Sequence, residues 1–202
     1  MITLSRSQRR QRPRFPVLLA TLAFSATLQA GTLLDFEGFA DGTALTTQYA
    51  GVTFTDATVL SAGIGLNEFE FPPHSGTNVV FDDGGPISIT FETPVVSFSG
   101  YFTYAEPLAL TAFGALGNNV ATASSAFSSN DALFGDPGSS PNEFLQVAFA
   151  AGISNVTITG DPAGGSFVMD DLAYASSVPE SASFYLTLTG AAALLALRRK
   201  LT

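Results

Sequence analysis

Apolar and polar residues alternate in short runs through most of this chain. In Ile87-Ser88-Ile89-Thr90-Phe91-Glu92, three apolar side chains fall on one face of a strand and three polar ones on the other. Val156 and Ile158 repeat the pattern against Asn155, Thr157 and Thr159. The same reading predicts strands over 32–36, 51–55, 58–61, 78–81, 87–92, 95–104, 109–114, 119–124, 144–150, 153–159 and 166–174. Turn formers punctuate them, among them Asp41-Gly42, Pro72-Pro73, Thr93-Pro94, Asp136-Pro137-Gly138 and Gly164-Gly165. Many short strands with such turns predict an all-β domain over 31–175, an antiparallel β-sandwich of jelly-roll type, long enough to hold its own core. The Ser-, Gly- and Pro-rich stretch 121–142 reads as a long loop.

The two ends break the alternation with continuous apolar runs, and all eight basic residues lie beside them. Arg6, Arg9, Arg10, Arg12 and Arg14 precede the run 15–26. This is the plan of a secretory signal peptide over 1–30, cut between Ala30 and Gly31, with a cut after Ser25 as the alternative. At the other end, Val178-Pro179-Glu180-Ser181 is followed by an apolar stretch, read as a transmembrane helix over 182–197, and then by Arg198, Arg199 and Lys200 in the tail 198–202. Three cations hold that tail in the cytoplasm, so the domain before it lies outside, as the signal peptide also requires.

The segment 176–202 resembles the PEP-CTERM sorting signal of exopolysaccharide-producing Gram-negative bacteria, with Ser181 where the motif has a second proline. The resemblance implies recognition by an exosortase, a membrane-embedded cysteine protease, and processing near Pro179-Glu180. It implies an inner-membrane intermediate, then delivery to the cell surface or extracellular matrix. Two further segments, Leu34-Asp35-Phe36-Glu37-Gly38 and Phe167-Val168-Met169-Asp170-Asp171-Leu172, resemble the jelly-roll sandwiches of the galactose-binding-like and carbohydrate-binding-module group. That likeness implies neighbouring first and last strands and a structural Ca²⁺ near them.

Between Gly31 and Val178 there are 16 of the 17 carboxylates and no Lys or Arg. Nucleic-acid binding is excluded, because phosphate neutralisation needs those cations. Without Lys or Arg partners, the carboxylates must be solvated, bonded to backbone N–H groups, or paired with metal ions. Cysteine is absent, so no disulfide or thiolate metal site exists. The single histidine, His74, sits in a turn-rich stretch and reads as an exposed loop residue. No Gly-x-Ser-x-Gly motif accompanies it, and the chain is read as a non-enzyme.

Three site readings follow. Asp35, Glu37, Asp170 and Asp171 are candidate Ca²⁺ ligands, since that ion takes carboxylate and carbonyl oxygens; the alternative has Asp170 capping backbone and the others facing water. Asp82-Asp83-Gly84-Gly85 reads as a hairpin turn. Tyr101 and Tyr104 are candidate sugar-stacking residues, on opposite faces of one strand, although the chain has no Trp. The resulting expectation is an exported surface or matrix protein with a structural or adhesive role. The alternatives are a carbohydrate-binding module for matrix polysaccharide and a secreted hydrolase.

Overall fold

Alternation of the kind seen at 87–92 is borne out as strand in the computed structural model, which describes residues 30–176 and contains nine antiparallel strands. The signal segment before Ala30, the motif 178–181 and the stretch 182–197 lie outside the described residues. The strands are β1 (Ala30–Leu34), β2 (Val52–Thr55), β3 (Ala57–Ser61), β4 (Asn78–Asp82), β5 (Ile87–Tyr104), β6 (Ala109–Phe113), β7 (Asn119–Ser124), β8 (Glu143–Thr159) and β9 (Phe167–Ser176). No helix occurs among the described residues.

Two of these strands merge pairs that the sequence separates. β5 runs through Thr93-Pro94 and β8 through Ala151-Gly152, each with shifts of register at that point. The irregularities divide one nine-stranded sheet into two halves. In one half β5 pairs with β2 through Ser88–Phe91, β8 pairs with β6, and β6 with β7. In the other, β3, β4, β9, β5 and β8 follow one another, with β1 also on β9. Ile89, Val156 and Leu110 from the first half share one buried core with Phe98, Val147 and Leu172 from the second. The two halves are therefore the layers of a β-sandwich. Removal of this apolar surface from water, at about 25 cal/mol per Å², is the main force that holds them together.

The first and last strands are neighbours, as expected: Leu34 faces Leu172, and Ala30 faces Ser176. Residues 83–86 do not form a hairpin turn. β4 pairs with β3 and β9, whereas β5 begins between β2 and β8, so this segment carries the chain from one layer to the other. Asp82 is fully buried there and accepts the Ser166 N–H (3.0 Å), the Ser166 hydroxyl (3.0 Å) and the Phe167 N–H (3.0 Å). Burial pushes its carboxyl above the usual range despite those donors.

The long loop expected at 121–142 is shorter at its start, because β7 takes Asn119–Ser124. Its remainder is pinned to β5 by Asn130, which is fully buried. Asn130 accepts the Tyr104 N–H (2.7 Å) and donates to the carbonyls of Phe102 (2.9 Å) and Ser140 (3.0 Å).

Candidate functional site

A bulge in β9 builds the site. Ser99 of β5 faces Ala173, but Tyr101 faces Asp170, so β9 spends one more residue than β5 over this interval. The extra residue is absorbed at Asp171, whose φ of 46° is left-handed and unusual outside glycine. Met169 and Leu172 on either side remain in the core, and the two intervening carboxylates lie beneath the loop between β3 and β4. A non-glycine residue held in this conformation is a mark of functional or structural over-determination.

The loop between β3 and β4 crosses the outer face of this layer. Its first part buries Leu66 against Val79 and Val168, with Leu60, Phe71 and Phe81 packed around them. A cavity of 360 Å³ remains there, lined by Leu60, Leu66, Phe71, Phe81 and Val168. The far end of the loop is clamped by carboxylates. Asp170 accepts the N–H groups of His74 (2.8 Å), Ser75 (2.8 Å) and Asp171 (2.6 Å). Asp171 accepts the Ser75 hydroxyl (3.0 Å) and contacts His74 Nδ1 (2.7 Å). Glu37 accepts the N–H groups of Thr77 (2.9 Å) and Asn78 (2.9 Å). At Gly76 (φ 54°) the Glu37 carboxylate occupies the space a Cβ would need, so the loop requires glycine there.

Asp170 is almost fully buried, and burial is the main reason its carboxyl is pushed up from 3.8 to about 6. The nearby Asp171 charge adds to the rise, and the three N–H donors oppose it.

Aromatic rings complete the site. The His74 imidazole lies flat on Tyr101, with centroids 3.4 Å apart and planes within 8°. Tyr101 meets Phe144 at 5.3 Å and 57°. Phe144 is 51% exposed, on the outward-facing parity of β8 between the glutamate Glu143 and the buried Leu145. Gln146, two residues on, is exposed on the same face and in register with Ser99. Asn142 ties the start of β8 to the loop by donating to the Pro72 carbonyl (3.2 Å). The arrangement offers a tilted aromatic step, bordered by the amide of Gln146 and the carboxylate of Asp171.

The expected site residues fare differently. Glu37, Asp170 and Asp171 are brought to one loop by the β1–β9 pairing, but they grip its N–H and O–H groups, as the capping alternative requires for Asp170. Asp35 is exposed and accepts only the Glu37 N–H, at 3.4 Å. Among the described residues, no group of three or more His, Asp or Glu side chains is placed to share a metal ion. Tyr101 is part of the aromatic step. Tyr104 is not available to a sugar: it is fully buried, and its hydroxyl donates to Glu143. Burial and the Glu143 carboxylate push that hydroxyl up to about 12. His74 is an exposed loop residue, but it is anchored on both its ring face and its Nδ1, and it pairs with Asp171 ionically whenever protonated. Phe144 and Gln146 were not anticipated. A large apolar side chain on the polar parity of a strand is the signal that marks Phe144.

No family model matches the chain, and no curated protein matches it. Among solved structures, the chain is similar to the K2 cleaved adhesin domain of Lys-gingipain, at TM-score 0.47 and 17% identity over 72% of this chain and 99% of that one. It is similar to the K1 cleaved adhesin domain of Lys-gingipain from Porphyromonas gingivalis W83, at 0.43 and 10% over 74% and 99%. It is also similar to the CBM22-1 xylan-binding domain from Paenibacillus barcinonensis Xyn10C, at 0.40 and 13% over 77% and 100%.

Proposed function

We propose that this chain is an exported adhesive module that grips a glycan on the outer face of its β9–β5–β8 layer. One observation carries the reading: the exposed Phe144 ring stands beside the stacked His74–Tyr101 pair, with Gln146 and Asp171 at its margins. Aromatic rings contact the C–H faces of sugars, while neighbouring amides and carboxylates accept and donate to hydroxyls. The 16 carboxylates and the absence of Lys and Arg between Gly31 and Val178 favour a neutral glycan over an anionic one. The role is binding rather than catalysis.

The ends of the chain supply the address. The basic and apolar segments support export through a signal peptide, a membrane-tethered intermediate and sorting by an exosortase at residues 178–181. The intact mass of the mature protein tests that part; a full-length mass would remove it.

A glycan array tests the binding part. The full chain is expected to bind a neutral glycan, with binding lost in Phe144→Ala and Tyr101→Ala. Phe134, which is 78% exposed on a separate loop, supplies the control, and Phe134→Ala is expected to bind normally. Equal loss in all three variants, or no binding to any glycan, would refute the reading.

A further inference from the structure

The other layer presents a different surface, and it stands independently of the aromatic step. Across its five strands, Thr55 faces Ser88, Ser88 faces Thr157, Thr157 faces Thr111, and Thr111 faces Thr122. Each alternates along its strand with a core residue such as Phe54, Ile87, Val156 or Leu110, so the five hydroxyls share the outer face. Adjacent strands lie ~4.8 Å apart, which sets the step along this row of hydroxyls.

The row is pre-ordered and uncharged. Asn155, on the same face, donates its amide to Ser88 Oγ (2.7 Å) and Thr90 Oγ1 (3.0 Å), and its carbonyl accepts from Thr157 Oγ1 (3.3 Å). Ser88 and Thr90 are thereby fixed as acceptors within the face, and their own O–H donors are left for an outside partner. Carboxylates border the row rather than fall within it: Asp56 and Asp83 lie beside Thr55, and Glu92 lies beyond Thr90. In a domain whose charged side chains are otherwise all acidic apart from His74, the row itself carries no formal charge.

We infer that this face is a second glycan surface, on which one extended neutral polysaccharide chain lies across the strands along the hydroxyl row. The strand step is close to the advance of one β-1,4-linked pyranose along its chain, so each strand offers one hydroxyl to one sugar. Absence of charge removes the desolvation cost that a carboxylate face would impose on a neutral chain. A second copy of this protein is a poorer occupant. Five strands at ~4.8 Å and about three residues of length give a few hundred Å² per partner, against about 800 Å² in a standard stable interface. With glycan sites on both layers, one molecule links two polysaccharide chains.

Retention of the full chain, purified in detergent, on microcrystalline cellulose tests the surface. A Thr55→Glu/Thr122→Glu variant, with both changes at exposed positions, is expected to lose roughly tenfold in retention, equivalent to about 1.4 kcal/mol. Thr157→Val, which removes a hydroxyl without adding charge, is expected to lose several-fold. The same row changes made in a Phe144→Ala background, where the aromatic step is removed, are expected to give the same loss relative to that background, and Ser128→Glu on a separate loop controls for added charge. Unchanged folding is checked by circular dichroism. Wild-type retention in the row variants would overturn the inference, as would equal loss in Ser128→Glu or no loss from the row changes in the Phe144→Ala background. A dimer in sedimentation that the Glu variant dissolves would assign the face to a second copy and overturn it as well.

Discussion

The carboxylate of Asp170 accepts the backbone N–H of His74 at 2.8 Å, although the two residues are 96 positions apart in the chain. This bond sets the height of the loop over the sheet and hence the seat of the imidazole on Tyr101. It also ties loop placement to a titrating group, because Asp170 is buried and pushed up to about 6.

The direction of the pH effect follows from that rise. Between pH 4 and 6 the folded protein retains the Asp170 proton that the unfolded chain releases at its ordinary value of 3.8. Folding takes up a proton in this window, so the contribution of the neutral form is complete below about pH 4 and is lost as pH rises through about 6. Asp82, also raised, acts in the same direction. Relative to Asp170→Asn, the wild type is expected to lose on the order of 1–3 kcal/mol of unfolding free energy between pH 4 and pH 7. Denaturant melts of both proteins at pH 4, 5, 6 and 7 measure this, and parallel profiles would contradict it.

Asn130 makes a second long connection. Its side chain stands in for a strand partner beside Phe102 and Tyr104. Asn130→Ala leaves the Tyr104 N–H and the Phe102 carbonyl buried without partners, at a cost of about 3 kcal/mol. Urea unfolding is expected to show that loss. Limited proteolysis is expected to cut within 125–142 in the variant before it does so in the wild type.

Local pattern made much of this fold legible. Ile87, Ile89 and Phe91 alternate with polar residues and are all buried, as alternation requires. The strand limits at 78–82 and 119–124 lie within one residue of those read from sequence. What stayed hidden depends on pairing. Thr93-Pro94 reads as a turn, yet β5 continues through it, because Glu92 donates its N–H to Gly51 and Val95 regains a partner on β8. The hairpin expected after Asp82 also fails on pairing: the turn residues are right, but the start of β5 pairs with β2 and β8 in the other layer. In the site, Asp170 and Asp171 stand out as a pair in the sequence, but their partners on residues 74–75 are visible only once β9 is bulged and the loop is laid across it.

His74→Ala separates the two anchors of that loop. The backbone bonds from Asp170 to residues 74 and 75 do not need the imidazole, so the loop is expected to hold its path. Loss of the stacked contact with Tyr101 is expected to cost about 1 kcal/mol. The glycan affinity of the aromatic step is expected to fall with it, read by the same array that scores Phe144→Ala. Intact affinity would place the imidazole outside the binding surface.

Tyr104 and Phe144 offer a paired test, because one is wholly inside and the other half outside. Tyr104→Phe removes a buried hydroxyl whose acceptor, Glu143, keeps the Ala126 N–H at 3.0 Å. The expected result is a loss of about 1–2 kcal/mol in unfolding free energy with glycan affinity unchanged. Phe144→Ala removes an exposed ring, so stability is expected to move by no more than about 0.5 kcal/mol while affinity is lost. The two variants thus exchange effects. If Tyr104→Phe lowered affinity and left stability alone, the inward-facing side of β5 would have to reach the ligand, and the separation between core and binding face would be wrong.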